Sequence, residues 1–279
     1  MMTDVLLLVF KTFARRSGSV VTEGSSVDSA PSALMVGGHS LSRSVLLLAA
    51  VTAASESGLR VVFLTHTQIQ SLPVALQRRV PTVTPDALKK IKFCYPRTLQ
   101  ELLVQVAGLH ESLPHSPPAL IIVDGLEHYL CAPAAASSSA FNTSEQSSAA
   151  HLSALLCDTA SFLTQRSKKQ GSPHTLCRLV ASFQPQGHTE PKGGESSAYP
   201  VLDVLDRYFQ VRCTLDQDSS YESTSGGLQQ VWNIYLSCLG MKNTSHKDGA
   251  EKKEEHPFHE WRLLLLPDGL MEFEQAQKH

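Results

Sequence analysis

Ala33-Leu-Met-Val-Gly37-Gly38-His39-Ser40-Leu41-Ser42-Arg43-Ser44 begins a stretch that continues through an apolar run to Ala54, and its reading decides the fold. It reads as a short buried strand, a Gly/Ser-rich turn and a helix opening near Ser44. That is the layout of a phosphate-binding loop, whose pattern is Gly, four residues, then Gly-Lys-Ser/Thr. Gly37 fills the first position and Ser44 keeps the hydroxyl. Ser42 stands in place of the second glycine and Arg43 in place of the lysine. The same residues also fit an ordinary strand-turn-helix, so the rest of the chain has to decide.

Working outward, Ser44 to Ser57 is a Leu/Ala/Val-rich helix with Gly58 at its C-cap, apolar almost all round and so expected to be buried. Leu59 to Thr65 is a continuous apolar run, the kind that parallel sheets cover on both faces. After a connection punctuated by Pro73, Pro81 and Pro85, Asp86 is expected to cap a short helix through Lys90. Ile91 to Tyr95 is a short strand ended by Pro96, and Thr98 caps a helix from Leu99 to His110 with Glu101 at its third position. Ala119 to Val123 is a strand ending in Asp124-Gly125. That fits a Walker B segment, whose Asp holds Mg²⁺, and it fits a plain Asp-Gly turn equally well. His151 to Arg166 is helical, Leu176 to Phe183 is a strand ending in Gln184, and Val201 to Phe209 is helical. Val211 to Leu215 and Leu228 to Leu239 are strands, and Pro267-Asp268-Gly269 joins a last hairpin. The fold class is α/β, with a mostly parallel sheet and antiparallel C-terminal strands.

The chain has 279 residues, 42% hydrophobic and 18% charged, which suits a globular α/β protein. Its formal net charge of -2 excludes a polycation, so nucleic-acid contact requires a local patch. The six cysteines form no Cys-x-x-Cys pair, so zinc-ligand spacing is absent and reduced thiols are expected. Val5 to Phe10 is apolar but is followed, not preceded, by positive charge, unlike a secretory signal. No run reaches the length of a membrane span. Residues 1–32 are read as a flexible extension or an extra strand, and residues 33–275 as one domain. Mobile loops are expected near 132–150, 185–200 and 241–257.

Four features fall at strand ends in the order of a RecA-like ATPase: the loop at 37–44, the strand ending near Thr65, Asp124 and Gln184. Four segments make the likeness specific: Leu64 to Pro73, Leu88 to Pro96, Ile122 to Leu130 and Leu205 to Phe209. In order and spacing they resemble the recombinase-paralogue-like ATPase that partners the SWIM-type zinc-finger protein in the metazoan Shu complex. The resemblance covers about residues 33 to 275 and implies a RecA-like P-loop core, ATP and Mg²⁺ as cofactors, single-stranded DNA binding and a nuclear role in homologous recombination. It implies as partners the SWIM-domain protein and a RecA-like recombinase or its paralogues.

Carried over residue by residue, the resemblance makes Gly37, Gly38, His39, Ser40, Leu41, Ser42, Arg43 and Ser44 the phosphate loop. Ser44 and Asp124 become the Mg²⁺ ligands, and Arg43, Asp124 and Gln184 the catalytic groups, with Gln184 as sensor of the γ-phosphate. Arg43 keeps the lysine's charge in a larger planar fork. Ser42 replaces a glycine that lets backbone approach phosphate, expected at positive φ. The stretch Thr65-His-Thr-Gln68, where such enzymes place a water-activating glutamate, has no carboxylate. Glu127 is a poor substitute, because it is expected to start a helix. Weak nucleotide binding and very slow hydrolysis follow. The DNA candidates are Lys89, Lys90, Lys92 and Arg97, with Phe93 and Tyr95 for base stacking and Arg166, Lys168 and Lys169 as a second group. The same lysines also fit solvated surface charge beside core aromatics. His66, His110, His115, His128, His151 and His174 are scattered, and none is assigned to a metal.

Overall fold

Successive side chains along the central strands feed two different cores, so the sheet needs cover on both faces. The computed structural model describes residues 5–14, 32–79, 84–111, 117–131, 139–171, 176–185, 199–218, 230–238 and 259–276. In chain order the elements are α1 (Val5–Thr12), β1 (Ser32–Val36), α2 (His39–Ser55), β2 (Val61–Thr65), α3 (Val74–Arg79), α4 (Pro85–Leu88), β3 (Ile91–Cys94) and α5 (Leu99–Ala107). Then come β4 (Leu120–Asp124), α6 (Glu127–Leu130), α7 (Ser139–Lys169), β5 (Arg178–Phe183), α8 (Pro200–Tyr208), β6 (Val211–Gln217), β7 (Gln230–Cys238), β8 (His259–Leu265) and β9 (Met271–Gln275).

The nine strands form one sheet in the order β3-β2-β4-β5-β1-β6-β7-β8-β9. Pairing is parallel from β3 through β6 and antiparallel from β6 to β9. On one face Met35, Phe63 and Ile122 pack with α1 and α2; on the other Leu34, Val62, Leu64, Ile121 and Val123 pack with α5, α7 and α8. Leu46 and Leu48 on α2 are fully buried, and truncating either to Ala costs about 2–5 kcal/mol. In register Thr65 lies opposite Asp124 and Val36 opposite Phe183, which aligns the carboxyl ends of β1, β2, β4 and β5 along one rim. Open α/β sheets bind ligands along such a rim.

Three expectations need correction. The segment expected to be flexible contains α1, whose Leu6, Val9 and Phe10 are fully buried, as is the following Phe13. Phe10 stacks on Phe273 at 4.9 Å and lies 5.6 Å from Trp261, and Ala14 bridges in parallel to Phe273. The apolar positions 5, 6, 9, 10 and 13 make one helical face, and the antiparallel end of the sheet supplies its partner. The Ala/Ser-rich residues 139–150 belong to α7, with Ala149 buried, so only 132–138 of that expected loop stay outside the described residues. The cap of α4 is Thr84, whose hydroxyl accepts from Ala87 N, while Asp86 sits in the first turn. Residues 186–198 and 241–257, from the other two expected loops, also lie outside the described residues. Thr98 caps α5 as expected, and Arg97 N donates to the Glu101 carboxylate at 2.8 Å.

Candidate phosphate-loop site

The connection from β1 to α2 is only Gly37 and Gly38. The helix begins at His39, not near Ser44, and Ser42 N already donates to Gly38 O at 3.0 Å. From Ser42 onward, therefore, the amides expected to wrap a phosphate are drawn into the helical ladder, and His39 N is taken by Gln184 Oε1. Ser42 sits in the first turn of α2, buried and helical rather than at positive φ. Gly37 is required by packing, because a Cβ there would lie 2.7 Å from Leu215 Cβ on β6. Two adjoining clefts of about 340 and 610 Å³ flank the start of α2. Both are lined by His39, Ser40, Ser44, Pro73 and Val74; the larger one adds Gly38, Leu41, Gln184 and Trp232.

Arg43 points inward. Its Nε donates to Asp124 Oδ2 at 2.7 Å, and Nη2 donates to Thr67 Oγ1 at 2.6 Å and to Thr65 Oγ1 at 3.2 Å. Asp124 is fully buried; its Oδ2 also accepts from Thr65 Oγ1 at 2.9 Å and its Oδ1 from Ser182 Oγ at 3.3 Å. Gly125 N donates to that same Ser182 hydroxyl. A guanidinium thus stands against the buried carboxylate in a charge-assisted hydrogen bond. Ser44 Oγ donates to Ser40 O at 3.0 Å, inside its own helix. Arranged in this way, Ser44 and Asp124 would have to give up hydrogen bonds to hold Mg²⁺: one oxygen of Asp124 accepts from two donors, and the Ser44 hydroxyl is turned to the backbone.

A second carboxylate lies beside the first. Glu127, the first residue of α6, has only 5% of its side chain exposed. Its Oε2 accepts from Gln184 N at 2.9 Å, and its Oε1 accepts from His39 Nδ1 at 3.1 Å. His39 N in turn donates to Gln184 Oε1 at 3.1 Å, so α2, α6 and the end of β5 are tied together. The hydrogen bond to Glu127 raises the pKa of His39 against the opposing effect of burial. His128 is driven the other way, chiefly by desolvation. His39 and His128 meet edge to face at 4.9 Å, and His66 stacks on His128 at 5.4 Å.

Arg43, Asp124, Gln184 and the residues 37–44 all lie along this rim, and the pairing of Arg43 with Asp124 is a contact that sequence reasoning did not anticipate. Histidines read as scattered converge here in part: His66 and His128 join His39. Glu127 does start a helix, as expected, but it is also the hub of this network. The sequence marks Thr65 as a strand end but gives no role to its hydroxyl or to those of Thr67 and Ser182; their position at or just past strand ends beside Asp124 is the available signal.

The DNA candidates are not gathered into one patch. Lys89 and Lys90 precede β3 while Arg97 follows it, so they lie at opposite ends of that edge strand, with exposed Lys92 between. Lys89 pairs with Asp86 at 3.1 Å. Phe93 is partly buried, packed against the core 5.6 Å from Phe63. Arg166, at the far end of α7, donates to His110 O at 2.6 Å. All six cysteines are free thiols; burial pushes Cys131 up to about 11 and Cys177 up to about 12. Among the described residues no helix is long and apolar enough to cross a membrane.

No protein-family model matches the chain. The mouse protein named ATPase SWSAP1 is 36% identical over 257 residues, spanning 85% of this chain and 84% of that protein. The human ATPase SWSAP1 is 33% identical over 190 residues, spanning 68% and 73%. Among solved structures, the RadB recombinase aligns with a TM-score of 0.52 at 14% identity, over 89% of this chain and 92% of that one. A second solved structure, an ATPase domain, aligns with a TM-score of 0.50 at 10% identity, over 87% and 84%. At such identities the structural likeness speaks for the fold alone, and the sequence relatives supply the rest. The chain therefore belongs to the family of the mouse and human ATPase SWSAP1 proteins, recombinase-paralogue-like ATPases built on a RecA-like fold.

Proposed function

We propose that the chain is a nuclear subunit of a homologous-recombination mediator complex. In this reading it binds a SWIM-type zinc-finger partner and single-stranded DNA, and it supports filament assembly by a RecA-like recombinase or its paralogues. Its own ATP site is degenerate: nucleotide and Mg²⁺ bind weakly and hydrolysis is very slow. The observation that carries this reading is the Arg43–Asp124 pair at 2.7 Å, beneath a helix that starts at His39. A nucleotide would have to draw Arg43 off a fully buried carboxylate before its phosphates could use the guanidinium, and separating a buried pair costs several kcal/mol. The names of the sequence relatives and the fold shared with a recombinase support the recombination role.

Co-expression with the SWIM-type zinc-finger candidate tests the partner assignment. A stoichiometric complex that survives gel filtration is expected, and separate elution of the two chains contradicts it. For DNA, the expected signature is salt-sensitive binding to single strands that weakens when Lys89, Lys90 and Lys92 are changed together to Ala; salt-independent binding counts against it.

A second reading, an active Mg²⁺-dependent, DNA-stimulated ATPase, draws on Glu127, a buried carboxylate hydrogen-bonded to the Gln184 amide. Turnover compared among wild type, Arg43→Ala and Asp124→Ala separates the two. Equal residual rates in all three are expected, and a loss specific to the variants favours the hydrolase.

A further inference from the structure

We infer that His39, Glu127 and His128 form a binding site for a transition-metal ion of the zinc type, separate from the Arg43–Asp124 pair and independent of nucleotide binding. One ligand atom from each of the three lies within 4.8 Å of the other two. The Glu127 Oε1 oxygen is 3.1 Å from His39 Nδ1 and 3.7 Å from His128 Nε2. In a tetrahedral zinc site, with bonds of about 2.0–2.2 Å, ligand atoms stand roughly 3.3 Å apart. The two oxygen-to-nitrogen spacings need little adjustment, and the two imidazole nitrogens, within 4.8 Å, close by rotation of the more exposed His128 ring. Two imidazoles and one carboxylate leave a fourth position open, the donor set of a zinc centre that keeps a water or exchangeable ligand.

Two further features suit the site to a cation. Glu127 Oε2 is held by the Gln184 amide at 2.9 Å, which fixes the carboxylate and leaves Oε1 for the ion, as an outer hydrogen bond does in metal centres. The backbone beneath is glycine: at Gly125, with φ +76°, a Cβ would lie 2.7 Å from His128 Cδ2, 3.0 Å from His39 Cε1 and 3.3 Å from Glu127 Oε1. Only a residue without a side chain lets the three donors close over this turn. His39 and His128 are 25% and 38% exposed, so an ion has a path in from solvent. The ion takes the place of the proton that His39 shares with Glu127, and that proton leaves to water. The pattern is invisible by spacing, since His39 lies far upstream of the adjacent pair Glu127-His128.

The test titrates the full chain, stripped with a chelator, with Zn²⁺ against a chromophoric competitor, and with Co²⁺ followed by its visible absorption. One equivalent per chain is expected, with a tetrahedral Co²⁺ spectrum lacking thiolate charge-transfer bands. His39→Gln, Glu127→Gln and His128→Ala should each weaken binding about ten-fold or more, whereas His151→Ala, on the exposed face of α7, should not. If His39→Gln or Glu127→Gln disturbs folding by circular dichroism, the more exposed His128→Ala carries the result. No binding, binding unchanged in His128→Ala, or thiolate bands that assign the ion to cysteines each overturn the site.

Discussion

Asp124 and Glu127 are buried carboxylates on one rim, three positions apart, and they are neutralised in opposite ways. Asp124 meets a guanidinium and two hydroxyls; Glu127 meets an imidazole and a backbone amide. Arginine stays charged throughout the accessible pH range, so the Asp124 side can open only if Arg43 physically moves. Histidine can give up its proton, so the Glu127 side can exchange its counter-charge with almost no movement. A carboxylate in the place of a metal-binding Asp is therefore not by itself evidence of a working metal site. The group facing it decides, and here the sequence position best matched to nucleotide chemistry is the more firmly closed of the two.

The largest test of this contrast is Arg43→Ala. It leaves Asp124 buried without a cation and should lower stability by about 3–5 kcal/mol, read as a fall in Tm of roughly 10 °C. Adding Asp124→Asn to it should recover at least half of the loss; a single variant within about 1 kcal/mol of wild type would mean that the pair is incidental. Glu127→Gln comes next, at about 1–3 kcal/mol in a urea titration, since the amide still accepts from Gln184 N but loses its charge-assisted bond to His39. Gly125→Ala should cost about 1–2 kcal/mol through its left-handed backbone and should also displace His128, visible as a shifted imidazole resonance in NMR spectra. The smallest change is Ser42→Ala. The Ser42 hydroxyl is buried without a hydrogen-bond partner in a helical turn, so its removal should stabilise by roughly 0.5–1 kcal/mol.

The parallel core was legible because runs such as Leu59 to Thr65 and Ala119 to Val123 cannot be buried any other way, and because Asp124 and Gln184 close their strands. The hairpin at 267–269 was equally plain, with Gly269 at φ +79°. Helix α1 was not, because eight residues form no stable helix alone and its partners, Trp261 and Phe273, lie at the other end of the chain. The start of α2 was misplaced because Gly38, His39, Ser40 and Ser42 are poor helix formers, and burial of Leu41 and Val45 overrides that preference. In α7, Thr143, Ser144, Ser147 and Ser148 dilute the helix formers Glu145, Gln146, Ala149 and Ala150, and packing at Ala149 holds the segment in the helix. The pairing of Glu127 with His39 depends on β1 and β4 flanking β5, a fact of strand order that no local pattern encodes.

The central claim is that Arg43 is committed to Asp124 and withheld from phosphate. A fluorescent ATP analogue with Mg²⁺, titrated into wild type and into the Ser42→Gly/Arg43→Lys double variant, tests it most directly. The account predicts weak binding by wild type and at least about ten-fold tighter binding by the variant, whose compact ammonium can leave Asp124 for phosphate. Tight, saturable binding by wild type that the double variant weakens would contradict it.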